Sequence, residues 1–325
     1  MQTLKGTKER GGGGIRAGQR RFIIGVTTPT ILFSAGFTLL AIIWALALMF
    51  FDYSPGRVGG PILGLGGNNP FVGLEHFQNM LTGTSLEARL FRVSLKNTII
   101  FALIILPLNL LITLPLAALI ESVSERFKSI FRAVYFLPAV TSSVGVALMW
   151  QYLYHPQQGL FNAVIRELGG KGVAWLTDPR AFFLGISVGM WAVIIARLWQ
   201  DYGYNLVIFI AALQGIPKEI KEAAMIDGAN PIQIFRYITV PLVRPTLTFV
   251  CIMTMLSSFQ VFDIIQVMTN GGPNNQTRVL VIDIYENAFR YQSMGWSAAV
   301  SFILVGLIMF ITLVQLRLLR TDWEY

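Results

Sequence analysis

Four stretches of this chain go without a single Asp, Glu, Lys, Arg or His for longer than a bilayer is thick. Residues 22–51, 97–120, 133–154 and 291–316 run 30, 24, 22 and 26 residues without a charge. A helix rises 1.5 Å per residue, so roughly 20 apolar residues cross about 30 Å of hydrocarbon. Backbone polar groups find no water there, and helices satisfy them internally. These four runs therefore read as membrane helices. Two further spans are expected. Residues 245–262 are charge-free for 18 residues and continue past Asp263 to about Met268. Residues 181–217 form a 37-residue run interrupted only by Arg197 and Asp201. A straight helix of that length would reach about 55 Å, too long for one crossing. The reading is one span over about 182–204, broken near Asp201 and Gly203. "NLVIFIAALQGIP" then continues along the membrane boundary. The expectation is an all-α polytopic membrane protein with six transmembrane helices.

Charge sets the orientation. Only 13% of the residues are charged, about half the share in a soluble domain. With six spans, the side holding both termini and the second and fourth loops carries 15 Lys and Arg, against 9 on the other. Cytoplasmic loops are enriched in these residues, so both termini are expected in the cytoplasm. Topology thus accounts for the net charge of +8, and a nucleic-acid partner has nothing left to explain. Residues 1–21 read as a disordered, basic, glycine-rich tail. Residues 22–52 read as the first transmembrane helix, 53–94 as an outer loop, and 95–320 as a five-helix core. That core contains a cytoplasmic loop over 216–245, and a short tail over 321–325 follows it. The lone cysteine, Cys251, permits no internal disulfide and reads as a packing residue.

The loop is the odd passage. Residues 218–245, "KEIKEAAMIDGANPIQIFRYITVPLVRP", carry seven charges and three prolines between two greasy runs. Pro217 suits the first position of a helix, "KEIKEAAMI" is a strong helix former, and Gly228 suits a left-handed cap. Asn230 can cap a second helix with Pro231 at its first position, continuing until Pro241 stops it. Two short helices about a tight turn are expected at the membrane surface. Ala223 and Ala224 give the first a shallow face that another protein can approach. An amphipathic loop resting on headgroups is the plain alternative.

Glu222-Ala223-Ala224, Asp227-Gly228, Ile238 and Val240-Pro241 resemble the EAA signature of binding-protein-dependent ABC import permeases, with Val240 where Leu is usual. Thr269-Asn270-Gly271-Gly272-Pro273 with Thr277, "FVGLEHF" at 71–77, "NTIIFAL" at 97–103 and "GYNLVIFIAALQGIP" at 203–217 resemble its carbohydrate-uptake branch. The similarity runs from about residue 30 to 318. It implies the type I ABC importer permease fold in a bacterial or archaeal plasma membrane. It also implies a second homologous permease, two ATP-binding subunits, an extracytoplasmic solute-binding protein and a carbohydrate substrate. Glu222, Ala223, Ala224, Asp227 and Gly228 would seat a coupling helix on the ATPase, with Ile238 and Pro241 anchoring its return. ATP and Mg²⁺ would be bound by the partner subunits and no cofactor by this chain. The sequence has no GxxxxGK[ST] loop of its own.

Polar groups inside spans usually face a bundle interior or a water-filled path. Gln260, Phe262 and Asp263 are the candidates for a substrate path, since hydroxyls suit carboxylates and amides while a ring suits a sugar's apolar face. The alternative for Asp263 is a charge at the outer interface or a helix cap. Arg197 and Asp201, four apart, read as a structural pair. Ser142 and Ser143 read as a close-packing surface. His76 and His155 have no spaced partners, so no metal site is expected. An ion-gradient-driven secondary transporter is the rival reading. It would need its own coupling carboxylates and an internal repeat.

Overall fold

The computed structural model describes residues 12–57 and 64–319. Its chain is helical, with one two-stranded hairpin. Helix α1 spans Gly12–Leu48, so the second half of the expected basic tail is helical, while residues 1–11 lie outside the described residues. A short α2, Glu75–Thr82, lies in the segment that the sequence reads as the outer loop. Helix α3 covers Leu86–Ser122 and so begins before the charge-free run, inside the segment read as loop. Ser85 caps it by accepting from Ala88 N. Its charged first turns extend past the apolar run, where Glu87, Arg89 and Arg92 cost least.

The third expected span is not one helix. Helix α4, Glu125–Val140, and α5, Ser143–Leu153, meet at a bend of 97°. Ser142 is the N-cap of α5 and Ser143 its first residue, so the two serines mark a corner and not a packing stripe. A short α6, Leu160–Glu167, and a hairpin of β1, Phe182–Phe183, and β2, Ile186–Ser187, follow. Helix α7, Val188–Gln214, is then continuous. The expected break near Asp201 and Gly203 does not occur, and the stretch read as boundary chain is its last three turns. Gly203 serves close approach instead: a Cβ there would sit 2.3 Å from the Tyr135 carbonyl oxygen on α4.

Helices α8, Lys218–Ile226, and α9, Pro231–Ile234, form the loop, and a π-turn over Phe235–Thr239 leads into α10, Val240–Leu242. Pro241 does not stop this run. The π-turn bonds Val240 N to Phe235 O and so absorbs the register fault near a residue with no N–H. The chain turns by 73° before α11, Arg244–Phe259, with Pro245 in its first turn. The fifth apolar run is itself interrupted, because α12, Asp263–Met268, restarts after Gln260–Phe262. Helix α13, Leu280–Tyr285, a second π-turn over Glu286–Arg290 and α14, Met294–Leu318, complete the chain.

Among the described residues, three helices are long and apolar enough to cross a membrane, or up to five if each bent pair forms one span. Helix α7 has the length for a crossing, with Arg197 and Asp201 diluting its hydropathy. Its small residues let α3 and α4 close on it. At mid-bundle, Asn205 Nδ2 donates to Asn109 Oδ1 at 2.8 Å and to Thr254 Oγ1 at 3.0 Å, joining α3, α7 and α11. Such bonds hold helices together where lipid offers no hydrophobic drive. Phe101, Met190 and Ile264 belong to one core cluster, Phe91, Phe259 and Trp296 to a second, and Leu114, Phe209 and Val250 to a third. By contrast α1 rests on α14 and leaves most of its described surface open. Only 6% of its most apolar window is buried, against 33% for α3.

Candidate functional site

Three regions hold most of the residues singled out in the sequence. The first is the α8–α9 surface. Pro217 stands just before α8, at the N-cap with ψ 135°, one place earlier than expected. No residue of α8 is buried. Glu222 and Ala223 are exposed, Ala224 is half-buried, and Ile226 is 87% exposed. Asp227 ends the helix and Gly228 follows at φ +84°. Ala229 N bonds to Ala224 O at 2.9 Å and Gly228 N to Met225 O at 3.1 Å, which is the Schellman closure. Space around Gly228 is open, so its requirement for glycine is purely conformational. Asn230 then accepts from Gln233 N at 2.9 Å, while Gln233 Oε1 accepts from Asn230 N at 2.8 Å. This reciprocal box fixes the angle between the helices. Ile238 is half-buried and Pro241 exposed on the way back to the bundle.

The second region is an open pocket of about 340 Å³ at the α4–α5 corner. Arg197, Gln200, Asp201 and Tyr204 of α7 line it, with Ser143 and Ser257 opposite. Arg197 Nε lies 2.7 Å from Asp201 Oδ2, across one helical turn. Gln200 Nε2 donates to Thr141 O at 3.3 Å and to Ser143 Oγ at 3.0 Å, so α7 satisfies groups freed by the corner. The sequence reading took the Arg197–Asp201 pair as structural. The structure gives the pair a second property, a face on the open pocket at the α4–α5 corner, among Ser143, Gln200 and Ser257. Two charges in an otherwise charge-free run were the signal for it.

Gln260, Phe262 and Asp263 lie elsewhere. Gln260 ends α11 and is exposed, Asp263 is exposed in the first turn of α12, and Phe262 packs on Tyr285 with ring centroids 5.0 Å apart. None of them lines the cavity. An acidic first turn is favoured by the helix dipole, which accounts for Asp263 without a ligand.

The third region is the loop over 269–280. Thr269 Oγ1 and Thr277 Oγ1 share a hydrogen bond of 2.7 Å, and Thr277 Oγ1 donates to Gly272 O at 2.7 Å. Asn97 Nδ2 donates to Asn275 O and Arg278 O, both at 2.9 Å, and Leu280 N donates to Thr98 Oγ1 at 2.9 Å. The Asn97-Thr98 pair and the glycine-proline loop, distant in sequence, are thus one clasp. Arg278 is buried against Asp283 at 2.8 Å and against Glu286. Burial pushes the Asp283 carboxyl above its ordinary range, against the pull of Arg278. The histidines are occupied locally: the His76 Nε2 contacts Phe51 O at 3.0 Å, and the His155 Nδ1 accepts from Gln158 N at 3.2 Å.

The family described as binding-protein-dependent transport system inner membrane component matches residues 113–319, more than half of the chain. A probable ABC transporter permease of Pyrococcus horikoshii is 33% identical over 94% of this chain and 96% of its own length. The arabinooligosaccharides transport system permease protein AraP of Bacillus subtilis is 29% identical over 90% of this chain and 86% of its own length. The structure superposes, with a TM-score of 0.77, on a chain of a bacterial alginate ABC transporter solved with an alginate-pentasaccharide-bound periplasmic protein. That match covers 94% of this chain and 96% of the other at 19% identity, so it speaks for the fold. The chain belongs to the binding-protein-dependent transport system inner membrane component family and is an ABC transporter permease.

Proposed function

We propose that this chain is one of two permease subunits of an ATP-driven importer for a carbohydrate or a related polyol-type solute. It forms half of the path, with six spans and both termini in the cytoplasm. A solute-binding protein delivers the substrate outside, and two ATP-binding subunits work inside, where ATP and Mg²⁺ are held. The carbohydrate class rests on the arabinooligosaccharide relative and on the loop motifs.

The observation that carries the reading is α8. A short helix with no buried residue, a near-naked Ile226 and a rigid capped turn is a poor element in isolation. It makes physical sense as one half of an interface. Glu222, Ala223, Ala224, Asp227 and Gly228 seat on the ATPase, and Ile238 and Pro241 return the motion to α11. Closure of the ATPase pair would then bias the bundle between inward- and outward-facing states. Purification of the complex from its native membrane in mild detergent tests this. Recovery of a homologous second permease and ATP-binding subunits in a roughly 1:1:2 ratio supports it. Recovery of this chain alone, with transport independent of ATP, would favour the ion-driven rival.

The cavity beside Arg197 and Asp201 supplies the substrate path in this reading, since charged groups facing a polar cavity in a bundle usually mark one. Gln260, Phe262 and Asp263 remain candidates for its outer end. Arg197→Gln is expected to raise the KM for uptake about tenfold while ATP hydrolysis by the unstimulated complex stays unchanged. Equal uptake by the variant would remove the cavity from the path.

A further inference from the structure

Behind α8 lies a second cavity, of about 690 Å³, which the coupling reading does not use. Its volume falls within the roughly 300–1,000 Å³ of ligand clefts. Leu119 of α3, Leu213 of α7, Met225 of α8 and Ile232 and Phe235 beyond it make its walls apolar. Lys221 and Met225, one turn apart, face the groove; Glu222, Ala223 and Ile226 do not line it. A protein seated on the outer face of α8 therefore leaves the groove behind it unfilled.

Two features say what fills it. One is continuity with the bilayer. On α3, Leu111, Pro115 and Leu119 follow one another at four-residue spacing and form a single stripe. Leu111 is exposed at the depth of the apolar run, whereas Pro115 and Leu119 belong to the groove wall. An exposed apolar stripe of α3 thus runs without interruption from the apolar run into the cavity. The other is charge. Glu121 lines the groove but is engaged by Arg132 at 2.5 Å and Lys128 at 3.3 Å. Lys221 also lines it, half-buried, with no ion pair among the described residues. With Glu121 neutralised by Arg132 and Lys128 from outside the lining, Lys221 is the lining charge left for a ligand at the level where the spans end.

We propose that this groove binds an anionic phospholipid, its acyl chain between Leu119, Met225 and Ile232 and its phosphate on Lys221. The lipid wedges between the span ends and α8, so membrane composition sets how the coupling helix sits. The inference rests on the proposed cytoplasmic placement of α8 and adds a ligand that this reading does not require.

The test uses the complete complex in lipid nanodiscs. Cys251→Ala removes the native thiol and Ile232→Cys carries an environment-sensitive fluorophore at the groove rim. Brominated phosphatidylglycerol is compared with brominated phosphatidylcholine as quencher. The expected result is half-maximal quenching by the anionic lipid at a several-fold lower mole fraction. Lys221→Gln should abolish the difference, while Lys218→Gln, outside the lining, should keep it. Equal quenching by the two lipids would mean an ordinary lipid-facing surface, and no quenching would mean that protein fills the groove. Either result overturns the proposal. Subunit recovery and ATP-driven uptake are measured on the same sample. If both are intact while lipid selectivity is absent, the inference fails alone. If the ATP-binding subunits are not recovered, the functional reading fails first.

Discussion

The two ends of the bundle are built on opposite plans. At the clasp, Asn97, Thr98, Thr277, Arg278 and Asp283 are buried and bonded to one another or to backbone. At the other end, α8 buries no residue, and the cap and turn contacts of α8 and α9 are made within residues 223–233. The clasp is complete in itself. The α8–α9 unit has a fixed shape and an unfilled surface, as expected of a part that acts through a partner. The difference teaches where a substitution should harm folding and where it should harm only transmission.

The largest effect is expected at the clasp. Arg278→Ala leaves Asp283 buried without its cation and Glu286 with Arg290 alone, and breaking such a buried pair typically costs about 3–5 kcal/mol. Thermal unfolding of the purified complex should show a large drop, and the yield should fall with it. An unchanged midpoint would mean that the clasp does not hold its end of the bundle. On the α8 side, Ile226→Ser should leave the fold within about 0.5 kcal/mol, as exposed sites usually do. Burying an isoleucine is worth about 1.5–3 kcal/mol, so affinity for the ATP-binding subunit should fall at least tenfold. Titration of that subunit against the permease pair measures it. Gly228→Val comes next. Left-handed backbone costs an L-residue about 1–2 kcal/mol, and the cost is local because nothing crowds the site. Membrane insertion should be normal and vesicle uptake several-fold lower. Normal uptake would remove the turn from the coupling path.

Much of this was legible in the sequence because each signal was local. Charge-free runs marked the apolar helices, and glycine, asparagine and proline at 228, 230 and 231 specified the turn with its caps. What escaped depended on contacts between elements. The corner at Ser142 gives little sequence warning, since its freed polar groups are met by Gln200 on another helix. Gly203 looked like a break because a glycine beside a charge pair often is one. Its actual use, making room for the Tyr135 carbonyl, is visible only once α4 is in place. Pro241 looked like a stop, but a π-turn accommodated it. The cavity at Arg197 is made by α7, the corner and α11 together, so no single stretch announced it.

Hydrogen–deuterium exchange on the permease pair, with and without its ATP-binding subunits, tests the central contrast most directly. Residues 269–290 should be protected in both states. Residues 218–235 should exchange rapidly alone and become protected when the ATP-binding subunits are added. Residues 218–235 that are protected without those subunits, or unprotected with them, would contradict the account.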